Sequence, residues 1–512
     1  MSEIKKDLNK FGLIGLTVLT VSLLLLFVIA TNYFIFPSKY KIPFLASIFV
    51  LVCINAALVF FSDGWFKKFS NVMIVLECLL IVCALILLPN IESRVRNIFN
   101  NIKTDEAVIN VYVLNENYRE DFSAYKYYKF ITQTRSDLEN QEYAIEKIYE
   151  ELGVSVINQL QKSDIMEAVE ALYEGKGDLL ILNEAYVPLI EEMEGYSNFE
   201  EDCKVVYTIN RQIDIEPEPV IEEPKEITEK MFTVYVAGCD TRSGRLSTYG
   251  RTDVNLLVNV NPVTKQILIV GLPRDAYIPN PAISYGYDKL THLGNDGIQN
   301  TMKGVSEYMD VQIDYYGEVI FDTFKRIVDA LGGIDVENPY YFNTYGGNGG
   351  MNGENFEFPE GTIHLYGNAA LGYCRERYNL PNGDYGRNEH QTIALKAVIK
   401  KLMSTEVISN YNEILEALNG QFLTDIAVDD IYKLIAMQID DNSSWDIITY
   451  HLGGEGKMQG TASMGYDRYL YTVNLFDSQV KFVKEQIDLM SNNEKIVQGS
   501  LPNDADTTYI PN

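Results

Sequence analysis

The sequence predicts an α/β protein with three N-terminal transmembrane helices. Three long apolar runs open the chain, short β-rich runs then alternate with helical periodicity, and a larger C-terminal part again mixes strand and helix signals. The chain has 512 residues, which is too long for one compact domain. An apolar content of 47% is sufficient to bury the cores of several domains.

The three apolar runs lie at about 11–36, 43–61 and 72–88, within a membrane region that we place at residues 1–103. Each run approaches the ~20 residues needed to cross a hydrocarbon layer of ~30 Å. The first run is too long for a cleavable signal and lacks a small-residue cleavage site. Basic residues are balanced between the two sides, so they do not orient the chain. Glu77 in the third run is either functional or a paired residue that faces neighbouring helices.

A small α/β accessory domain is predicted at residues 104–213. The strands are expected at 107–114, 178–182 and 203–209, and the helices at 141–152, 164–173 and 185–193. Nothing in this segment forms a catalytic constellation, so the sequence assigns it no site.

The remaining boundaries follow from composition. Residues 214–230 are rich in Glu and Pro and predict an extended linker. A larger catalytic domain is expected at 231–492, and the polar residues 493–512 are expected to form a flexible tail.

The charge distribution points to an anionic ligand. The formal charge of −29 and a pI near 4.6 argue against general nucleic-acid binding, which requires a basic face. Arg375, Arg377 and Arg387 nevertheless fall within thirteen residues. A guanidinium group is a planar fork of donors that fits phosphate oxygens, so the segment is a candidate phosphate site.

Three predicted strands bring further charged residues to one rim. We read 232–237, 254–260 and 266–272 as an antiparallel meander, in which the first and third strands end where the second begins. The rim would then carry the charged residues that flank these strand ends, namely Asp240, Asp253, Arg274 and Asp275. The alternative is a surface rim of unrelated loop charges.

Two carboxylates at one rim repel each other unless a cation lies between them. Mg²⁺ or Mn²⁺ would suit Asp240 and Asp253, because Mg²⁺ takes one or two carboxylates together with substrate phosphates. Arg274 beside the ion would bind a phosphate.

The arginine segment is predicted to be ordered by two helices. A short helix at 367–373 leads to Arg375, and Arg375 and Arg377 share a face if the chain is extended there. A second helix is expected to begin near Arg387, with Gln391 one turn later on the same side. The first turn of a helix also attracts phosphate. Lys289 could reach a phosphate, and His292 could orient it.

The cysteines indicate no metal site. Cys203, Cys239 and Cys374 lie outside the apolar runs, and their spacing matches no metal site or disulfide framework. Cys239 and Cys374 could form a bridge because both adjoin proposed site residues, but ordinary buried thiols are the simpler interpretation.

At this point the residues resemble the LytR-CpsA-Psr (LCP) family of bacterial cell-envelope proteins. The three membrane spans and the accessory domain resemble the capsule-associated, CpsA-like branch. The matching pieces are 236–242, 250–253 (Gly-Arg-Thr-Asp), 272–275 (Leu-Pro-Arg-Asp), 288–290, 331–334, 375–377 (Arg-Glu-Arg) and 383–391.

The resemblance implies an extracytoplasmic phosphotransferase of the EC 2.7.8 type at the cell membrane. Such an enzyme transfers a glycopolymer, capsular or teichoic-acid-like, from undecaprenyl pyrophosphate to peptidoglycan. The implied fold is an α/β/α sandwich with a mixed central sheet and a hydrophobic tunnel for the prenyl tail. The accessory and catalytic domains would both be extracellular, and capsule or wall assembly proteins are possible partners.

The family roles map onto residues of this chain. Asp240 and Asp253 resemble the metal-binding aspartates, and Gln391 matches a polar site residue. Four arginines resemble the pyrophosphate-binding set, with Arg251 and Lys289 close by: Arg274, Arg375, Arg377 and Arg387. Two departures stand out. Cys239 replaces a small hydroxyl residue, and His390 replaces a position that is often basic, which would weaken phosphate contact.

The implied reaction has open points. Asp275 or a metal-side aspartate is the candidate base for the attacking hydroxyl. Pyrophosphate hydrolysis is a conceivable side activity of the same site. The rival interpretation is a non-enzymatic regulator or scaffold of polysaccharide assembly, which would need no metal.

Overall fold

The structure is a computed structural model, and it describes residues 10–33, 38–62, 64–100, 104–214, 226–239, 247–344, 354–404, 411–418, 422–441 and 443–502. The chain divides into two compact units. One comprises residues 1–100 and 426–444, and the other comprises residues 101–425 and 445–512.

The first unit contains three long helices: α1 (Lys10–Tyr33), α2 (Ser38–Phe61) and α3 (Trp65–Asn100). Each helix contains a stretch of 22 or 23 residues that is long enough and apolar enough to cross a membrane. The third helix exceeds the predicted run because helix propensity does not end where apolar character ends. Asn55 donates a 2.9 Å hydrogen bond to Glu77, so Glu77 is paired with a neighbouring helix.

The accessory domain is an α/β domain that spans residues 104–214. Its elements are β1 (Thr104–Leu114), β2 (Lys129–Gln133), α4 (Leu138–Leu152), β3 (Asn158–Lys162), α5 (Ile165–Tyr173), β4 (Leu179–Asn183), α6 (Val187–Glu191), α7 (Phe199–Asp202) and β5 (Cys203–Asp214). The strand order is β3-β2-β4-β1-β5. β2 runs parallel to both β3 and β4, whereas β1 is antiparallel to β4 and β5.

Helices cover both faces of the accessory sheet. Alternate residues of β4 separate into two apolar clusters, with Leu179 and Ile181 on one face and Leu180 and Leu182 on the other. The first face packs against α4, and the second packs against α5 and α6. The strands β2 and β3 were not predicted; β3 is a polar edge strand without an apolar alternation.

The remaining elements follow in the catalytic part of the chain. They are β6 (Phe232–Cys239), β7 (Thr252–Asn261), β8 (Gln266–Gly271), β9 (Tyr277–Asn280), β10 (Gly286–Lys289), α8 (Leu290–Leu293), α9 (Ile298–Met309), β11 (Tyr315–Ile320), α10 (Phe321–Ala330), β12 (Ile334–Asn338), β13 (Phe342–Asn343), β14 (Glu357–Phe358), β15 (Gly361–Leu365), α11 (Gly367–Arg375), α12 (Asp384–Leu402), α13 (Tyr411–Leu418), β16 (Phe422–Thr424), α14 (Val428–Asp441), β17 (Asp446–His451), β18 (Gly454–Thr461), β19 (Gly465–Leu475) and α15 (Asp477–Ser491).

A mixed sheet of order β16-β11-β6-β7-β8-β17 forms the centre of the catalytic domain. The strands β6, β7 and β8 are the predicted antiparallel meander, and β11 and β17 add to it in parallel. Leu257 and Leu268 pack towards α9 and α15, whereas Leu256 and Ile267 pack towards α12. The period-2 alternation of apolar residues therefore builds an α/β/α sandwich, as expected.

Helix α14 belongs to the first unit, although it lies between strands of the catalytic sheet in sequence. Asp429 of α14 forms an ion pair with Arg96 of α3 at 3.1 Å. The Lys39 ammonium donates a 2.8 Å hydrogen bond to the carbonyl of Asp440. A segment of the range predicted as the catalytic domain is therefore part of the first unit.

The beginning of the expected flexible tail is packed rather than free. Ile496 is 3% exposed, and its backbone N–H donates to Gln266 Oε1 at 2.9 Å. Gln498 accepts a hydrogen bond from the backbone N–H of Thr449 at 3.0 Å. The prediction missed the effect of the apolar Ile496 side chain. Its burial stabilises the packed conformation and offsets the entropy lost when the flanking polar residues become ordered. Residues 493–502 therefore belong to the packed structure, and the rest of the predicted tail, 503–512, lies outside the described residues.

Candidate active site

The candidate site lies at one edge of the central sheet. Cys239 at the end of β6 pairs with Thr252 at the start of β7, and Leu256 pairs with Gly271 at the end of β8. The loops that follow β6 and β8 and precede β7 therefore leave from the same edge. Asp240 follows β6 directly but lies outside the described residues, so its position in the site stays a prediction.

Asp253 and Arg274 form the central ion pair of this edge, with Oδ1 and Nη1 at 2.8 Å. Their side chains are only 18% and 15% exposed. Burial opposes the charge of Asp253, but the guanidinium groups of Arg274, Arg251 and Arg387 outweigh it and lower the pKa of the carboxyl. Burial also opposes the charge of Arg274, but Asp253 and Asp275 raise its pKa. Both groups are therefore charged at neutral pH.

Asp275 lies between two basic side chains, Arg274 and Lys289. Its Oδ1 lies 3.0 Å from Lys289 Nζ, and its Oδ2 lies 3.9 Å from Arg274 Nε. The geometry favours Asp275 as a positioning residue that sets the directions of Arg274 and Lys289.

Helix α12 brings Arg387 into the cluster. Its first turn packs closely against the end of β8: the Asn388 amide donates to the Leu272 carbonyl at 3.2 Å, and a Cβ at Gly271 would lie 2.2 Å from Asn388 Oδ1. Only glycine at 271 allows this approach. Arg387 Nη2 is 2.6 Å from Asp384 Oδ1. Burial, and then repulsion by Arg274 and Arg377, lower the pKa of Arg387 despite that carboxylate.

Arg375 and Arg377 flank a buried carboxylate. Glu376 is fully buried, and its Oε1 accepts hydrogen bonds from the backbone N–H groups of Arg377, Tyr378 and Asn379 at 2.7–3.0 Å. Its two neighbours are partly exposed, as the predicted alternation requires. Glu376 therefore fixes the loop that carries the two arginines.

The two arginines differ in their surroundings. Arg377 stacks on the Tyr378 ring at 4.7 Å and is near enough to Arg387 to repel its charge. Arg375 lies over the Phe321 ring at 5.1 Å. Phe321 follows Ile320, which pairs with Cys239, so Arg375 is at the same sheet edge.

Gln391 and His390 are structural in this fold. Gln391 is 7% exposed, and its amide donates to the Cys374 carbonyl at 3.3 Å, so it supports the end of α11. His390 is fully buried and stacks on Tyr373 and Phe342, with ring centroids at 4.2 and 4.7 Å. Burial lowers its pKa to about 4. The expectation that His390 affects phosphate contact is wrong, because this ring belongs to an aromatic core.

His292 is also a core residue. Its Nδ1 lies 2.7 Å from Asp288 Oδ1 and 3.2 Å from Ser463 Oγ, and it is 2% exposed. Its position near Lys289 in the sequence suggested that it could orient a phosphate. The structure shows instead that its ring is held in the core. Cys239 and Cys374 are free thiols, so no bridge joins them. The Cys239 thiol instead lies 2.8 Å from Glu318 Oε1.

Arg251 connects the site to the accessory domain. Its Nη1 lies 2.5 Å from Glu192 Oε1, and its side chain is 14% exposed. Its charge also contributes to the lowered pKa of Asp253.

Two residues of the site escaped sequence reasoning: Glu192 and Asp384. Asp384 had a usable signal, since it precedes Arg387 by three residues in the first turn of a helix. Glu192 is 59 residues from Arg251 and had none.

A divalent cation at this edge would need oxygen ligands in addition to the Asp253 carboxylate. Asp253 is ionised and partly exposed, and its hydrogen bond to Arg274 uses Oδ1 alone. In the described ranges, no group of three or more His, Cys, Asp or Glu side chains could hold a metal ion. The donor set therefore suits an ion held by few carboxylates and completed by substrate phosphates, as Mg²⁺ usually is.

Comparison with known proteins identifies relatives of this chain. The LytR_cpsA_psr family model matches residues 201–481. A polyisoprenyl-teichoic acid–peptidoglycan teichoic acid transferase of Enterococcus faecalis is 32% identical over 267 residues, which are 51% of this chain and 84% of the relative. The transferase of the same name from Bacillus subtilis is 30% identical over 50% of this chain and 78% of its own.

Solved structures show similar matches. Streptococcus agalactiae protein gbs0355 is 26% identical, with a TM-score of 0.44, over 55% of this chain and 94% of its own. Bacillus subtilis TagV is 24% identical, with a TM-score of 0.42, over 52% of this chain and 99% of its own.

Proposed function

Because the chain belongs to the LytR-CpsA-Psr family, we propose that it transfers a glycopolymer from a polyprenyl pyrophosphate to peptidoglycan at the outer side of the cell membrane. The single observation that supports this most is the position of Arg387. This arginine is buried and lies 2.6 Å from Asp384. Burial lowers its pKa most, and the charges of Arg274 and Arg377 near it lower the pKa further. Guanidinium groups that repel one another at a shielded site are stabilised by an anion with several oxygens, such as a diphosphate.

The cluster would act mainly by electrostatics. In the proposed reaction, a peptidoglycan hydroxyl attacks the phosphorus that carries the sugar, a P–O bond forms, and the lipid phosphate leaves with the bonding electrons. Arg274, Arg377 and Arg387 would neutralise charge on the transferring phosphoryl group and on the leaving oxygens. Asp253 and Asp275 hold Arg274 between them at 2.8 and 3.9 Å, so the donor is oriented before the substrate arrives.

The proposal includes Mg²⁺ or Mn²⁺ held by Asp253 and Asp240. When bound, the cation would offset the charge of the phosphates. The acceptor proton must go to a base, for which Asp275 and the metal-side aspartates are the candidates.

The three apolar helices support anchoring in the membrane, where a prenyl carrier resides. We propose an extracytoplasmic position for the accessory and catalytic domains, because peptidoglycan lies there. The capsule-like order of spans and accessory domain favours a capsular polymer, with a teichoic-acid-like polymer as the alternative that the names of the relatives suggest.

Replacing Arg274 by alanine tests the function. The Arg274→Ala protein should reach the membrane in normal amount but attach at least ~10²-fold less polymer to purified cell wall, since it lacks a charge-stabilising donor. The matched control is Arg326→Ala, which removes a half-exposed arginine paired only with Asp322 on its own helix. Full attachment with Arg274→Ala would show a scaffold rather than an enzyme.

A further inference from the structure

A second group of polar side chains lies where the accessory domain meets the catalytic domain. We call it the interdomain polar cluster; its members are Gln133, Ser136, Asp137, Gln141, Asn183, Asn295 and Asp296. The first five belong to the accessory domain, and the last two follow α8 in the catalytic domain. Tyr186 links the two sides, because its hydroxyl donates to Asp296 Oδ1 at 2.5 Å.

The topology of the accessory sheet places this cluster at the carboxyl ends of two neighbouring strands. Gln133 ends β2 and Asn183 ends β4, and these strands are parallel neighbours. The chain leaves β2 for α4 on one face and leaves β4 for α6 on the other. In open α/β sheets, ligands bind at the carboxyl ends of neighbouring strands whose connections diverge in this way.

The side chains in the cluster are buried without protein partners for many of their polar atoms. In the described residues, no hydrogen-bond partner is found for the two amide atoms of Gln133, the Ser136 hydroxyl and Gln141 Oε1. The same holds for both amide atoms of Asn295. The Asp137 carboxyl is bound by the side chains of Asn140 and Asn183, whose hydrogen bonds oppose the rise in its pKa. None of these residues is more than 8% exposed. Buried polar groups are nearly always paired, so such a concentration indicates a partner from outside the chain.

The two sides of the cluster face each other across the domain boundary. The charge of Asp296 adds to burial in raising the pKa of Asp137, and burial raises the pKa of Asp296 to about 6. Asp137 also adopts a left-handed backbone conformation (φ 56°) at the start of α4. Arg211 lies at the margin, where it binds Asn140 and Glu139 at 2.9 Å.

The chemistry of the unpartnered atoms selects the ligand. An anion would need donors and a metal ion would need oxygen acceptors, but this cluster offers both kinds: two amide NH₂ groups, three amide oxygens and a hydroxyl. Each hydroxyl of a sugar donates one hydrogen bond and accepts others, so a polyhydroxylated neutral molecule satisfies such a mixture.

We propose that the interdomain polar cluster binds a neutral saccharide, which makes the accessory domain a sugar-recognition module. The cluster shares no residue with the arginine site, so the inference does not depend on the transfer reaction. The sugar has two possible sources, the glycopolymer and the glycan strands of the wall, and both present hydroxyl groups.

The test uses the full-length protein in a detergent without a sugar headgroup. Calorimetric titration with glucose, galactose and rhamnose represents the polymer, and titration with N-acetylglucosamine and its β-1,4-linked tetramer represents the wall. Binding of at least one sugar is expected. Failure of all five to bind at millimolar concentration overturns the proposal.

Two variants separate ligand binding from structure. Gln133→Met and Ser136→Ala remove polar atoms that have no protein partner, so the melting temperature should stay the same or rise. Sugar binding should weaken about tenfold, the effect of losing a good hydrogen bond. An unchanged affinity in both variants, or a lower melting temperature in both, contradicts the proposal.

The control variant is Thr264→Val, which removes a similarly buried and unpartnered hydroxyl from the turn between β7 and β8. It should leave sugar binding unchanged. Arg274→Ala should also bind the sugar normally, so that a failure of the transferase proposal can be distinguished from a failure of this one.

Discussion

Two sheet edges in this chain carry polar side chains of opposite kinds. At the edge of the catalytic sheet, guanidinium and carboxylate groups are paired, as in Arg274–Asp253 at 2.8 Å. At the edge of the accessory sheet, Gln133 presents an uncharged amide group that has no partner in the described residues. The same topological device, strand ends that meet at one edge, thus provides two environments. Their charge predicts a diphosphate for the first and a neutral ligand for the second.

The two edges also shift the pKa of a buried carboxyl group in opposite directions. Guanidinium groups outweigh burial at Asp253 and lower its pKa. Among the described residues no guanidinium group offsets burial at Asp296, and burial raises its pKa to about 6. A site that is built for an anion keeps its acids ionised, whereas a site that is built for a neutral ligand makes ionisation costly.

The largest expected effect comes from removing the charge of Asp253. Asp253→Asn leaves Arg274 without its closest carboxylate and removes a proposed metal ligand, so polymer attachment should fall by ~10²-fold or more. The measurement is the amount of polymer on purified walls. Asp335→Asn is the control, because Asp335 is an exposed acid whose partner His364 lies outside the arginine cluster. Equal activity of the two variants would remove Asp253 from the site.

A smaller effect should follow when the loop between α11 and α12 loses its support. Glu376→Ala deprives three backbone N–H groups of their acceptor. We expect a loss of about 2 kcal/mol in the free energy of unfolding and about tenfold in activity, because the position of Arg377 relaxes. Denaturant unfolding and wall attachment measure the two effects. Glu376→Gln keeps an acceptor oxygen and should restore part of both; equal losses in the two variants would contradict the explanation.

The smallest effect is a pH dependence that distinguishes the two edges. A carboxyl whose folded pKa is raised binds more protons when folded, so Asp296 should make the protein less stable as pH rises from about 4 to about 6. Asp296→Asn keeps an acceptor for Tyr186 and should gain roughly 1–3 kcal/mol at pH 7 relative to pH 4. Asp137, Asp288 and Tyr186 lie near the Asp296 carboxyl, so they also contribute to the change in stability that is measured.

Asp253 should show the reverse sign. Its folded pKa is lowered, so its contribution to stability is present above the ordinary aspartate pKa and is lost as pH falls through the lowered value. Melting curves from acid to neutral pH test both signs. A parallel pH profile for Asp253→Asn and Asp296→Asn would remove the distinction between the edges.

Local patterns in the sequence predicted most of the catalytic sheet. The meander of β6, β7 and β8 follows from apolar alternation and a turn signal, and these features alone bring Asp253 and Arg274 together. The core position of His390 was not predictable, because its aromatic neighbours Tyr373 and Phe342 come from other elements. The local sequence Glu389-His390-Gln391 does not reveal that the histidine is buried.

The accessory domain was predicted less completely for a similar reason. The strand β3 has the sequence Asn-Gln-Leu-Gln-Lys, which lacks apolar alternation and forms only by pairing with β2. The interdomain polar cluster depends on that topology and on Asp296, which is distant in sequence. Its residues, Gln133 and Asn183 among them, are ordinary loop and strand-end residues until the sheet brings them together.

The most direct test of the central claim is a structure of the full-length protein with a polyprenyl pyrophosphate and Mg²⁺. We predict that the diphosphate contacts Arg274 and Arg387, with the cation beside Asp253. A diphosphate bound elsewhere, with the Arg274–Asp253 pair unchanged and without ligand contact, would contradict the account.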